Sequence, residues 1–280
     1  MNKTAFRRSL AALGIVAPML LMTAGASAET SQQRDWCYGK GDVTPEMQIS
    51  GCTAFLLSGH HADAATADAY NNRGVGHAAR DDWVRALSDY STSARLDPTV
   101  ASTFYNRGLA YLHTQHFDQA IADFDQAIKL DPALAQAFSD RGIAYRNKGE
   151  YDRAIADYDQ AITLNPKYAT AFNGRGTVYY HKKDLDRAIA DFSEAIRLNA
   201  KSVRALNNGA LAYYDKQDYE RAVADYDTAI GLDPETPLAL YGRGLARLKR
   251  NDGKGAEADI AAAKKLDPGV VKDFAAVIAR

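Results

Sequence analysis

The sequence predicts an all-α solenoid of six stacked 34-residue helix-turn-helix units with a helical cap at each end. Three observations predict it. One period runs six times without an insertion, small residues recur at two fixed places in it, and proline punctuates its end. With Ala67 as position 1, the units start at Ala67, Ala101, Ala135, Ala169, Val203 and Pro237. Position 8 reads Gly74, Gly108, Gly142, Gly176, Ala210 and Gly244, and position 20 is Ala in every unit, from Ala86 to Ala256. Position 24 reads Tyr90, Phe124, Tyr158, Phe192, Tyr226 and Ile260. Position 32 is Pro98, Pro132, Pro166, Ala200, Pro234 and Pro268.

Each element of the unit has a physical reason. Small residues at 8 and 20 let a first helix A and a second helix B approach closely, across a short turn near positions 14 to 16. The aromatic at 24 fills the space between one helix pair and the next, and positions 27 and 30, such as Ala127 and Leu130, extend that apolar stripe at helical spacing. Proline at 32 ends helix B and begins the link. One unit cannot bury its own apolar face, so neighbours must stack. This pattern resembles the tetratricopeptide repeat family over residues 67–270. The resemblance implies a right-handed superhelix, a role in binding other proteins or peptides, and a concave groove lined by helix A through positions 2, 5, 9, 12 and 13.

The ends continue the phase. One step beyond Pro237 places Phe274 at position 4, where Phe104, Phe138 and Phe172 sit, so residues 271–280 read as a C-terminal capping helix. One step back places Cys52 at position 20. Thr44-Pro45-Glu46 is a helix-start signal, and residues 45–58 read as an orphan helix B within an N-terminal segment, 29–66.

Residues 1–28 read as a cleaved signal peptide. Lys3, Arg7 and Arg8 form a positive start, Leu10 to Thr23 an uncharged apolar run, and Ala26-Ser27-Ala28 a cleavage signal. The run is short for a membrane anchor and contains Gly14 and Pro18. No later segment is apolar enough to span, so the expected location is periplasmic or secreted. In such a compartment the two cysteines of the mature chain, Cys37 and Cys52, read as a disulfide rather than as a metal or catalytic pair.

Two features depart from the family's pattern. Position 7, commonly Leu, is Arg73, Arg107, Arg141, Arg175 and Arg243, with Gly209 the exception. Position 23 is Asp89, Asp123, Asp157, Asp191, Asp225 and Asp259. Opposite charges repeated on helices A and B predict structural ion pairs that fix stacking register; an anion-binding ladder is the other reading. Position 6 carries Asn72, Asn106 and Asn208, but Asp140, Gly174 and Gly242 interrupt the run. The backbone-clamping asparagine ladder of the repeats in O-linked glycosyltransferases is therefore not carried over. No three-unit window supplies the Lys, Asn and Arg set of the carboxylate clamp found in chaperone-binding repeats.

The groove positions give the candidate protein-binding residues. They are Tyr105, Leu109, Leu112, His113, Ile143, Arg146, Tyr180, His181, Arg204, Asn207, Tyr214, Leu238, Tyr241 and Leu248. Tyrosine and arginine are frequent interface anchors. For Leu109 and Ile143 packing between A helices is an equal reading. The first unit offers the weaker set Asp68, Asn71, Val75 and Ala78.

Other function classes find little footing. The formal net charge is −1 with no basic run, which argues against nucleic acid. His60, His61, His77, His113, His116 and His181 show no zinc-ligand spacing, and no phosphate-cradling loop or nucleophile elbow occurs. The paired carboxylates recur with the period, as scaffold residues do. The sequence therefore predicts a non-enzymatic scaffold without metal or cofactor. A structural or oligomerising subunit using the convex face, homo-oligomers included, and a regulatory arm of an enzyme are the alternatives.

Overall fold

The computed structural model describes residues 30–59, 62–272 and 274. The expected signal peptide and most of the expected C-terminal cap lie outside the described residues, as do His60 and His61. Among the described residues the secondary structure is helical, without a strand. Two helices precede the repeats, α1 (Ser31–Cys37) and α2 (Pro45–Ser58). Six antiparallel pairs follow: α3 (Asp63–Ala78) with α4 (Trp83–Leu96), α5 (Ala101–His113) with α6 (Phe117–Leu130), and α7 (Ala135–Asn147) with α8 (Tyr151–Leu164). Then come α9 (Ala169–His181) with α10 (Leu185–Leu198), α11 (Val203–Asp215) with α12 (Tyr219–Leu232), and α13 (Pro237–Lys249) with α14 (Gly253–Leu266). Residues 270–272 and 274 are again helical.

The repeated residues do the same work in each pair. Every position-20 alanine is fully buried, and Phe124, Tyr158, Phe192 and Tyr226 at position 24 are 2% exposed or less. Burying each such ring contributes roughly 2–3 kcal/mol. A Cβ on Gly108 would lie 2.8 Å from the Phe124 ring, so the small residue at 8 sets the closeness of the two helices. The turn between helices A and B places position 15 in the left-handed region in all six pairs: Asp81, Gln115, Gly149, Lys183, Gln217 and Asn251 have φ between 58° and 78°. Only Gly149 is free of the roughly 1–2 kcal/mol cost of that conformation. At the end of each helix B, the side chain at position 31 accepts the backbone N–H two residues on, as Asp97 does from Thr99 at 2.9 Å and Asp267 from Gly269 at 2.8 Å. This turn, rather than proline alone, fixes the link, which explains why Ala200 at position 32 leaves α11 starting in phase.

The first pair departs from the period. α2 ends at Ser58 and α3 begins at Asp63, four residues before Ala67. Gly59 follows α2 with φ 70°, a left-handed stop at position 27, where the later units have Ser93, Ala127 or Ala161. The early stop leaves chain that α3 takes up as an extra turn. α1, unforeseen in the sequence, starts at a capping box between Thr30 and Gln33. Cys37 and Cys52 form a disulfide, with Cα atoms 4.5 Å apart, and both are fully buried beside Phe55 and Ala69 of the cap and first repeat.

Candidate functional site: the concave groove

Helices α3, α5, α7, α9, α11 and α13 stand side by side, and their common face carries three hollows in succession. The first, about 900 Å³, is lined by Val75, Ala78, Leu109, Leu112, His113 and Ile143, with Trp83 and Phe117 from the starts of α4 and α6. The second, about 240 Å³, is lined by Arg146, Tyr180, His181, Asn208 and Leu211. The third, about 320 Å³, is lined by Val203, Arg204, Asn207, Leu211, Leu238 and Phe274. Most of the predicted groove residues thus come together on one line. Leu248 is 46% exposed and lies outside the hollows.

The tyrosines behave differently from the other predicted residues. Tyr180 is 4% exposed, and its hydroxyl donates to Asp215 Oδ2 at 2.6 Å. The Tyr105 hydroxyl donates to Asp140 Oδ2 at 2.8 Å, while its ring packs beside Leu109 and Phe124. Tyr214 meets Tyr219 edge-on at 5.6 Å, and Tyr241 meets Phe274 edge-on at 5.2 Å. These rings chiefly join neighbouring elements, leaving the open surface to Leu112, His113, Arg146, Arg204 and Asn207. His113 is held flat against Trp83, ring centres 4.1 Å apart, and His181 lies parallel to Tyr151 at 6.0 Å. Position 17, aromatic in Trp83, Phe117, Tyr151 and Tyr219, was the sequence signal for this rim.

Polar rungs cross between A helices at a separation of 35 residues. Asn106 donates to Asn71 and Asn208 to Asn173, each at 3.0 Å, so here the later helix donates, whereas in the two tyrosine–aspartate bonds the earlier one does. The two glycine interruptions at position 6 have a steric cause. A Cβ on Gly174 would lie 2.5 Å from the Tyr158 ring, and one on Gly242 2.4 Å from the Tyr226 hydroxyl. Burial pushes the Asp140 carboxyl up to about 6, against the Tyr105 hydrogen bond, which lowers it.

The repeated charges lie apart from these hollows. Arg73, Arg107, Arg141, Arg175 and Arg243 each bind the position-23 aspartate of their own pair through two nitrogens. Nε donates to Oδ2 at 2.8 Å in all five, and Nη2 to Oδ1 at 2.6–2.8 Å. The aspartates Asp89, Asp123, Asp157, Asp191 and Asp259 are buried, so each fork is a charge pair with little water around it. Its net stabilisation is small, because desolvation offsets attraction, but removing one partner strands the other. Asp225, opposite Gly209, has no such fork. Among the described residues no group of three or more His, Cys, Asp or Glu could hold a metal ion, and no helix is long and apolar enough to cross a membrane.

Paired helices in a constant register, with a hollowed face along the A helices, define an α-solenoid interaction scaffold. Three tetratricopeptide repeat models match the chain, at residues 74–145, 139–203 and 210–250. The chain belongs to the tetratricopeptide repeat family. No curated protein sequence matches it. Among solved structures it is similar to pilF of Pseudomonas aeruginosa, with TM-score 0.67 and 20% identity over 77% of this chain and 99% of that one. A tetratricopeptide repeat protein of Parabacteroides merdae aligns with TM-score 0.67 and 18% identity, over 90% of this chain and all of the other. YrrB, described as a TPR protein with an unusual peptide-binding site, aligns with TM-score 0.53 and 19% identity over 67% of this chain and 96% of its own. At these identities the likeness is one of fold.

Proposed function

We propose that this chain is an exported, non-enzymatic scaffold that holds a helical peptide segment of another protein in the groove of its A helices. The observation that carries this reading is Phe274. Among the described residues it is the one side chain from outside the repeats in these hollows, a helical aromatic seated against Tyr241 beside Leu211 and Leu238. The face therefore suits an aromatic or aliphatic anchor presented by a helix, the usual form of helix-in-groove recognition. The wide first hollow, with Leu112 and Ile143 below and the stacked Trp83–His113 pair at its edge, has the room for a second anchor. Export rests on the pattern of residues 1–28.

The reading is tested by placing the photo-crosslinking residue p-benzoylphenylalanine at Leu112 or Arg204, and separately at the exposed Lys129 of α6, in cells making the full-length protein. Adducts to one polypeptide from the groove positions, with none from Lys129, are expected. Adducts from Lys129 alone would replace the groove with the outer face, as in an oligomerising subunit.

A further inference from the structure

The five arginine–aspartate forks describe a binding site five times over, and the fifth repeat contains that site without its occupant. In each filled case the guanidinium lies between three elements. Nε and Nη2 grip the position-23 aspartate. Nη1 reaches back to position 25 of the preceding helix B, meeting Asp125, Asp159 and Asp227 at 2.5–2.6 Å and Ser91 at 3.4 Å. Arg73 reaches instead to Thr53 of α2, one turn earlier in that helix, at 3.5 Å. The ring at position 4 lies under four of the guanidinium groups, but Arg243 forms its fork beside Leu240, so the ring is not required.

In the fifth repeat the cup remains. Asp225 stands on α12 at position 23, and Ser193, exposed on α10, stands where Ser91 and Asp125 stand in their repeats. Gly209 on α11 supplies no side chain. A Cβ there would be 3.1 Å from Asp225 Oδ2 and 3.6 Å from Ile196 and Phe192, so the carboxylate itself lies over the glycine at the floor of the slot. Among the described residues the cation acting on Asp225 is Arg221, and that side chain is bound to Asp218.

We propose that the slot over Gly209, formed by Asp225 and Ser193, binds the guanidinium of an arginine carried by a partner polypeptide. The same chain shows the chemistry it would use: a two-nitrogen grip on the carboxylate, with a third nitrogen to the hydroxyl of Ser193. A lysine ammonium lacks the planar fork that meets both carboxylate oxygens in parallel. Burial without a bound cation pushes the Asp225 carboxyl up to about 6, so the site gains its charge as pH rises through that value. The slot lies outside the three hollows, so its occupancy is independent of a peptide in the groove.

The test uses the full-length mature protein, the probes n-propylguanidinium, n-propylammonium and acetyl-Gly-Arg-Gly-amide, and two readouts, the Asp225 carboxyl carbon NMR signal and the melting temperature. At pH 7.5, n-propylguanidinium is expected to move the Asp225 signal saturably at millimolar concentration and to raise the melting temperature. It should bind at least fivefold more tightly than n-propylammonium. Affinity should fall about tenfold between pH 7.5 and pH 5. Asp225→Asn should remove the effect, and Gly209→Arg should remove it by filling the slot from within. Equal binding by wild type and the near-isosteric Asp225→Asn would overturn the site whether or not Gly209→Arg folds. Binding of the tripeptide as tightly as n-propylguanidinium is expected; its exclusion would overturn a polypeptide arginine and leave a small guanidinium compound as the ligand.

Discussion

The helices before the first repeat and the segment after the last cover the two flanks of one stack by different means. At the N-terminal flank, α2 lies against α3, and a disulfide ties it to α1, with Cys37, Cys52, Phe55 and Ala69 buried together. At the C-terminal flank there is no covalent tie. Val270 is buried with Leu240 and Ala263, and Phe274 is 5% exposed on the groove side of α13. The sequence phase places Phe274 with Phe104, Phe138 and Phe172, but it reaches instead the line of Leu211, Leu238 and Tyr241. The difference has a consequence for binding. The cross-linked cap packs on α3 and leaves the first hollow open, at about 900 Å³. A cap held by apolar contact alone fills part of the groove, and the last hollow is about 320 Å³.

The comparison breaks most visibly if the covalent tie is removed. Reduction, or Cys37→Ser with Cys52→Ser, is expected to cost about 3 kcal/mol at the N-terminal end, the chain-entropy estimate for a loop of this size. The melting temperature should fall, and hydrogen exchange should rise first in α1, α2 and α3. Uniform loss of protection along the repeats would show that the cap is not held locally.

The other end is tested by Phe274→Ala. Loss of a buried ring at a chain end should cost about 2 kcal/mol, below the range for a central core position because the end frays with little else. Exchange should rise in α13 and α14 and leave α3 to α6 unchanged. The third hollow should then bind a hydrophobic peptide more tightly than the wild type does. Unchanged exchange in α13 and α14 would remove Phe274 from the account of this flank.

The smallest effect sharpens the contrast from within. Asp225 has its folded carboxyl raised above the ordinary aspartate value to about 6. Its protonated form favours the fold, so its stabilisation is complete below pH 4 and is lost as pH rises through about 6. From pH 4.5 to 7.5 the pair α11–α12 should loosen by about 1 kcal/mol, after discount for partial exposure. Asp225→Asn should remove that difference, as read by urea unfolding at both pH values. A residual slope with the same sign belongs to the other carboxyls that burial raises, Asp140 to about 6 and with it Asp68 and Asp157.

Much of the architecture was legible because it is local and repeated. Ala at 20 and an aromatic at 24 require a close helix pair wherever they occur, and six copies in phase leave one way to stack them. The arginine–aspartate alternation was legible for the same reason, since both partners belong to one 34-residue unit. Less legible were features with a single occurrence, such as α1 and the early stop at Gly59. The aromatic row at position 17 was visible, but its meeting with His113 and His181 was not, because those rings come from the next repeat.

By itself the sequence determined the period, the helix pairs, the buried small and aromatic positions and the two cysteines. Each follows from residue type at fixed spacing, which the backbone converts directly into a face. The tertiary structure alone decided which groove side chains remain available. Tyr105 and Tyr180 look free in the sequence, yet each meets an acceptor 35 residues away, a partner set by the rotation from one repeat to the next. Only the stacked arrangement likewise brings Phe274 to the groove and leaves Asp225 over a glycine. A hydroxyl or carboxylate finds its partner through the packing of whole helices, and no local spacing encodes that distance.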